Sequence, residues 1–251
     1  MGSPSGRLIY GWGDRLYPDG DETAYAKSLG ATGLLLLSEP DPNDADPANA
    51  VAAFGKDNVF FWAFPDWFHP DNAASSTALL MRRGLRHGIG GIVVDIENAP
   101  LWNRATPGQI GNMIRAIRQA EDSGLSVGFT SFPFWPLMRR IANETRAWGS
   151  VQIYGRDGNP LDPRFAQWRK LWADVFGEER MSVSLWAGAG RRSAERQVQY
   201  LEAWKNERSV ILFQSPVPRE GTPEFQAQRS FMLSSASGGD VGRPKDGEGA
   251  C

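Results

Sequence analysis

Gly90-Gly91-Ile92-Val93-Val94-Asp95-Ile96-Glu97-Asn98 is the stretch on which the fold of this chain turns. It is short, apolar and β-branched, which is the signature of a buried strand. Side chains alternate along a strand, so Val93, Asp95 and Glu97 share one face while Ile92, Val94 and Ile96 share the other. The all-aliphatic face is expected against helices. That leaves two carboxylates on the opposite face, about 6–7 Å apart along the strand.

Working outward, seven similar runs occur: Leu8–Trp12, Gly33–Leu37, Val59–Phe64, Ser126–Ser131, Ser150–Tyr154, Ser182–Trp186 and Val210–Gln214. Helix-like segments separate them, an alternation expected of βαβ units and a parallel sheet. Gly30, Gly55, Gly88, Gly124 and Gly177 each close a helical stretch ahead of a strand. Thr106-Pro107 and Asp162-Pro163 read as a helix cap followed by the first helical residue. Ile110, Met113, Ile114 and Ile117 recur at helical spacing, as do Phe165, Trp168, Leu171, Trp172 and Val175, and both stripes are expected to pack on the sheet. Eight strands with eight helices predict a single (β/α)₈ TIM barrel over residues 7–235. An open doubly wound sheet is the alternative, but no Gly-x-Gly-x-x-Gly turn follows the first strand. Residues 236–251 offer little to bury beyond Val241 and read as a flexible tail, open to a protein partner.

The chain has 251 residues, within the size range of such barrels. Its 27 basic and 29 acidic side chains give a net charge of −2, which argues against a nucleic-acid surface or a polybasic membrane anchor. No apolar run reaches the ~20 residues that span a bilayer. The first six residues lack the basic start and apolar centre of a signal peptide. The expectation is a chain made as a soluble protein, cytoplasmic or released by another route. Cys251 is the only cysteine, so no internal disulfide forms, and two histidines cannot build a poly-His metal site. No cofactor is expected.

In a parallel barrel, chemistry gathers at the C-terminal strand ends. Two partly desolvated carboxylates there repel one another and raise one proton affinity, leaving a donor beside an anion. Gly91-Ile92-Val93-Val94-Asp95-Ile96-Glu97 resembles the Asp-x-Glu strand of glycoside hydrolase family 25, the lysozyme-like muramidases, and the end of the family 18 chitinase signature. Phe129-Thr130-Ser131-Phe132-Pro133-Phe134-Trp135 is similar to the family 25 Tyr-Thr-Ser...Phe-Trp segment. Tyr154 stands where family 18 has a tyrosine that holds the N-acetyl group. The chain departs from family 18 at Gly90, Val93 and Gly155, where that family has acids, with Asp157 nearby in the chain. It departs from family 25 in carrying its first-strand acid, Asp14, within Gly11-Trp12-Gly13-Asp14.

The resemblance implies Glu97 as general acid/base, Asp95 as the group that steadies a 2-acetamido nucleophile, and Tyr154 as a hydrogen-bond donor to it. It implies an O-glycosyl hydrolase of the muramidase or N-acetylglucosaminidase type, with a polysaccharide such as peptidoglycan or a chitin-like chain as partner. Substrate contacts are expected from Trp12, Asp14, Asp66, Trp67, Trp102, Ser131, Trp135, Gln152, Trp186 and Gln214. Ten Trp residues make a groove of flat sugar-stacking faces one reading and core packing the other. For Asp95 and Glu97 the structural alternative is an ion pair with a loop cation such as Arg156. Glu39 and Asp41 read as solvated loop acids, His69 as a loop histidine and His87 as part of a helix end. Two other functions stay open: a sugar-binding or assembly barrel without turnover, and a metal-dependent hydrolase holding Mg²⁺ through Asp14, Glu39, Asp95 and Glu97.

Overall fold

The computed structural model describes residues 4–12, 17, 20–38, 46–97, 99–131, 136–154, 162–188 and 193–234. The strands are β1 (Gly6–Tyr10), β2 (Gly33–Leu37), β3 (Val59–Trp62), β4 (Gly91–Asp95), β5 (Ser126–Ser131), β6 (Trp148–Ile153), β7 (Met181–Trp186) and β8 (Ser209–Phe213). The helices are α1 (Glu22–Leu29), α2 (Ala48–Phe54), α3 (Ala73–His87), α4 (Ala99–Trp102), α5 (Pro107–Asp122), α6 (Pro136–Glu144), α7 (Pro163–Phe176), α8 (Ala194–Glu202) and α9 (Pro223–Ser234). Each strand pairs in parallel with the next, and β8 pairs with β1. The sheet is therefore a closed eight-strand barrel, the (β/α)₈ architecture expected from the alternation.

Alternation sorts the side chains into two cores. Ile92, Val94 and Ile96 of the β4 segment join the layer between barrel and helices. Val93 joins the barrel interior with Leu8, Tyr10, Leu35, Phe60, Trp62, Trp148 and Ile211. Large rings fit inside because glycines face them. A Cβ at Gly91 would stand 2.7 Å from the Phe60 ring, and one at Gly128 would stand 2.4 Å from the Trp148 indole. The Phe60 and Trp148 rings meet edge to face at 6.0 Å.

Several expected boundaries move. Strand β1 runs Gly6–Tyr10 rather than Leu8–Trp12, because Gly6 opens its ladder opposite Ser209 of β8. Strand β6 begins at Trp148, paired with Gly128, two residues before the expected start. Trp12, Phe64, Ile96, Tyr154 and Gln214 fall just past the strand ends, where the chain leaves the ladder for the barrel mouth. The stripe of α7 also needs correction. It buries Phe165, Trp172 and Phe176, while Leu171 is 41% exposed, so the packed face is rotated toward Phe176, which stacks on Phe129 of the wall. Helix α5 matches its expected stripe more closely, burying Met113, Ile114 and Ile117, and Thr106 with Gln109 forms a reciprocal cap at its start. Gly30 and Gly88 end α1 and α3 in the left-handed conformation.

No helix among the described residues is long and apolar enough to cross a membrane. Asp14, Glu39, Asp41, Trp135, Arg156 and the expected tail at 236–251, with the protein partner expected through it, lie outside the described residues.

Candidate active site

Asp95 closes β4 at the C-terminal mouth of the barrel and is 5% exposed. Its Oδ1 accepts a 3.0 Å hydrogen bond from Gln152 Nε2, reaching across from β6. Glu97, two residues on, is half-buried and close enough to raise the proton affinity of Asp95. Burial is the first cause of that rise and the Glu97 charge the second, with the Gln152 N–H opposing both. Asp95 therefore keeps a proton well above the usual carboxylate range. No cation is among the groups that set its affinity, so the ion-pair alternative finds no support at Asp95 among the described residues.

Hydroxyl groups pack the barrel below Asp95. Tyr10 Oη lies 3.5 Å from Ser184 Oγ, Ser184 Oγ lies 2.8 Å from Ser150 Oγ, and Thr130 Oγ1 donates to the Ser150 carbonyl at 3.0 Å. Burial, and then the nearby Asp95 charge, push the Tyr10 phenol far up. Tyr154, just past β6, is pushed up for the same first reason, with Tyr10, Asp95 and Glu97 adding to it. Both phenols thus stay protonated and able to donate beside the acids.

Aromatic rings line the opposite arc of the mouth. Trp12 meets Trp62 at 5.5 Å, Phe64 at 5.8 Å and Phe213 at 4.8 Å. Phe213 continues to Tyr154 at 5.2 Å and to Trp186 at 6.0 Å. Trp12, Phe64, Trp186 and Phe213 are half-buried, so this wall presents apolar ring surface at the mouth. Together the parts make a site with two acids on one side, flat rings on the other, and phenols between.

The folds that resemble this barrel include carbohydrate enzymes. A family 18 chitinase from Pseudoalteromonas aurantia superposes with a TM-score of 0.60 at 12% identity, over 92% of this chain and 100% of that one. An endo-β-N-acetylglucosaminidase from Cordyceps militaris gives 0.57 at 15% identity, over 93% and 92%. That structure is a double mutant, with an Asp changed to Asn and a Glu two positions on changed to Gln, bound to fucosyl-N-acetylglucosamine-Asn. The spore cortex-lytic enzyme SleL of Bacillus megaterium gives 0.62 at 8% identity, over 94% and 75%. At these identities the likeness establishes the fold. Barrels of other chemistry also superpose, among them the 3-keto-D-glucoside 4-epimerase YcjR of E. coli at 0.53 and 14% identity, over 93% and 99%. No protein-family model matches the chain, and no curated protein matches it. The family 18 side of the resemblance thus has counterparts among these folds, whereas the family 25 side is not shown by them.

The expected site residues divide. Asp95, Glu97, Gln152, Tyr154, Trp186 and Trp12 gather at the mouth. Trp102 does not: it is 3% exposed, packs between barrel and helices, and donates its indole N–H to the Phe68 carbonyl at 2.9 Å, which leaves no face for a sugar. Trp67 leans on the same outer layer from the turn after β3, and Asp66 beside it is exposed. Ser131 is buried and donates to the Ile96 carbonyl, holding the β4 exit in place rather than facing the mouth. Gln214 is buried among Tyr25 and Gln228 on the helix side of β8. His87 lies edge-on to Phe61 at the end of α3. Among the described residues no three acidic, His or Cys side chains are placed to hold a metal ion.

Tyr10, Trp62, Phe64 and Phe213 were not among the expected site residues. The parity that placed Asp95 and Glu97 inside applies equally to them, since 10 and 12, or 62 and 64, share an inward face. Two departures from family 18, Gly90 and Val93, sit in tight packing, while Gly155 and Asp157 lie outside the described residues. A Cβ at Gly90 would lie 2.6 Å from the Cα of Asp57 and 2.6 Å from the Lys56 carbonyl, so no acid fits there without moving backbone. Val93 is sealed within the apolar interior. Gln152 and the hydroxyl cluster occupy the surroundings of Asp95 instead.

Proposed function

We propose that this chain is a retaining glycoside hydrolase of N-acetylated polysaccharide, peptidoglycan or chitin-like, working by substrate-assisted acid/base catalysis. The observation that carries the reading is the proton-holding Asp95 beside Glu97, with Gln152 and Tyr154 adjoining, opposite an arc of aromatic rings. The Asp-x-Glu spacing equals that of the two residues changed in the endo-β-N-acetylglucosaminidase whose fold it shares.

In this reading Glu97 gives its proton to the glycosidic oxygen as the C1–O bond breaks. The carbonyl oxygen of the substrate's own 2-acetamido group bonds to C1, the substrate-assisted exception to two-carboxylate hydrolysis. Positive charge then develops on the acetamido nitrogen, whose N–H bonds to Asp95. The pair shares its proton as a unit. Its resting proton sits on Asp95, and passing it toward Glu97 leaves Asp95 anionic as that positive charge appears. Tyr154 donates its phenol hydrogen to the acetamido oxygen. Water then attacks C1, the bond to the acetamido oxygen breaks, and Glu97 recovers the proton from the water.

A sugar-binding barrel without turnover is the second reading. The apolar seal at Val93 and the blocked position at Gly90 favour it, because neither position behind Asp95 offers room for an acid. Glu97→Gln separates the two. Calorimetric titration should show N-acetylglucosamine oligomers binding the variant about as well as the parent, while hydrolysis of the same oligomers falls by a factor on the order of 10²–10⁴. Equal hydrolysis by both proteins would remove Glu97 from the mechanism. A parent that binds but never cleaves would establish the second reading.

A further inference from the structure

Helix α8 sends one side chain through the outer core to the mouth end of the barrel. Tyr200 is fully buried in the layer between barrel and helices, and its hydroxyl reaches the backbone of two strands. Its Oη accepts from the Trp186 N–H of β7 at 3.3 Å and donates to the Ile153 carbonyl of β6. Ile153 and Leu185 are the last partners in the β6–β7 register, so the hydroxyl joins both strands at the final rung of their ladder. A buried hydroxyl is costly unless it is hydrogen-bonded, and here both its donor and its acceptor are used. Packing accounts for a ring at position 200; the hydroxyl answers to the two backbone groups.

The residues that follow this rung belong to the site. The Ile153 carbonyl is part of the peptide group that carries Tyr154, the first residue beyond β6. That group is planar, so holding its oxygen fixes the plane from which Tyr154 departs. Trp186 has further anchors: its Nε1 donates to the Ser215 carbonyl at 3.1 Å, and its ring meets Phe213 at 6.0 Å. Gln228 of α9 holds the next residue of that exit, donating to the Ala187 carbonyl at 2.5 Å. The Tyr154 ring meets Trp186 at 5.7 Å and Phe213 at 5.2 Å. Ring pairs keep such contacts over a wide range, about 4.5–7 Å, so they leave the reach of the Tyr154 hydroxyl to the backbone. The Tyr200 phenol is also near enough to be among the groups that push the Tyr154 proton affinity up.

We propose that Tyr200 is a positioning residue for Tyr154: by tying the Ile153 carbonyl to the Trp186 N–H, its hydroxyl sets the reach of the Tyr154 phenol toward the acetamido group. The role rests on the glycosidase reading above and deepens it, extending the machinery of the site into the helix layer. Misplacing a reacting group by 1 Å can cost on the order of a hundredfold in rate. Tyr154 donates a hydrogen bond and breaks no bond itself, so a smaller loss, roughly tenfold, is expected when its support is removed.

The test uses the full chain, with the hexamer of N-acetylglucosamine as substrate. Tyr200→Phe keeps the ring and removes only the hydroxyl, and thermal melting shows that the fold survives. The expected result is a kcat lower by roughly tenfold with KM changed by less than about twofold, because Trp186 and the aromatic arc keep their other anchors. The double variant Tyr154→Phe with Tyr200→Phe separates positioning from general loosening of the barrel. Residues that act through one another are not additive. Once the Tyr154 phenol is gone, removing the Tyr200 hydroxyl should cost less than about a further twofold, whereas losses from general loosening would multiply. All rates are read well below the melting temperature of each variant. A Tyr200→Phe variant as fast as the parent overturns the proposal and leaves the glycosidase reading standing, as do losses that multiply in the double variant. A parent that cleaves no N-acetylglucosamine oligomer brings down that reading and the role of Tyr200 with it.

Discussion

Asp95 shows how a single buried carboxyl links stability to chemistry. Burial and the Glu97 charge raise its proton affinity in the folded chain above that of the unfolded chain. Between the ordinary carboxylate range, about 3.9 for Asp, and its raised folded value, the folded state holds more protons than the unfolded state. Stability from this residue is therefore fully present below the unfolded value and is lost as pH rises through the folded value. Asp95→Asn keeps the shape and cannot ionise. It should melt above the parent at pH 8, with the gap closing toward pH 4, in parallel thermal scans. A constant gap across that range would place the resting proton elsewhere. Tyr154→Phe tests the other side of the pair: with its phenol held protonated, its role is donation, so hydrolysis should fall on the order of tenfold or more while the ring contacts to Trp186 and Phe213 persist. An unchanged rate would show that the hydroxyl does not touch the acetamido group. Tyr154 was placed at the barrel mouth by its likeness to the family 18 tyrosine, and the position of Asp95 and Glu97 there was legible from sequence because strand parity and a strand end are local facts. Trp102 and Ser131 were not, because only tertiary packing decides whether a residue near a strand end meets the mouth or the wall.

At the scale of elements, strand β4 displays what the barrel allows. It is entered through Gly90 and Gly91 because the Lys56–Asn58 turn presses on the first, and the β5 backbone and Phe60 on the second. Restoring the family 18 acid by Gly90→Asp should therefore destabilise rather than activate. The displaced backbone and strain cost typically about 1–3 kcal/mol, read as a lowered urea midpoint, with no gain in hydrolysis. A variant as stable as the parent and more active would show that the Asp57 segment yields readily. The same tight packing explains which element boundaries the sequence disclosed. Strands β2 and β5 span the apolar runs expected of them. Strand β1 did not, because its start depends on pairing with β8, about two hundred residues away in sequence. The stripe of α7 was misplaced for a related reason: Leu171 and Phe176 are both apolar, and only the ring stack of Phe129, Trp172 and Phe176 chooses between them.

For the whole molecule the decisive event is closure, and closure lies at the β8–β1 seam, where the last strand meets the first. Periodicity predicts eight strands, but it cannot say that the last pairs with the first; the register of Gly6 to Ser209 does. Arg7 sits at this seam, 1% exposed, on the helix-facing side of β1. Its Nη2 donates to the Lys205 carbonyl at 2.5 Å, and its guanidinium lies 4.4 Å from the Phe231 ring centroid of α9. Its Nε and Nη1 have no hydrogen-bond partner, and burial pushes its proton affinity down to about 10 despite the nearby Glu207 charge. The cation is thus kept in the fold against a desolvation cost that its contacts only partly offset. Replacing such a charge by an apolar side chain of similar length is often neutral or stabilising. Arg7→Met retains the stem that packs on Phe231, and the Lys205 segment is exposed enough for water to replace the lost donor. The expected outcome is a gain of about 1 kcal/mol, seen as a melting temperature higher by roughly 2–4 °C for a chain of this size. Activity on N-acetylglucosamine oligomers should not change, since Arg7 stands at the barrel end opposite the mouth. A fall of several degrees would instead mean that the Lys205 hydrogen bond and the contact with Phe231 are what close the barrel.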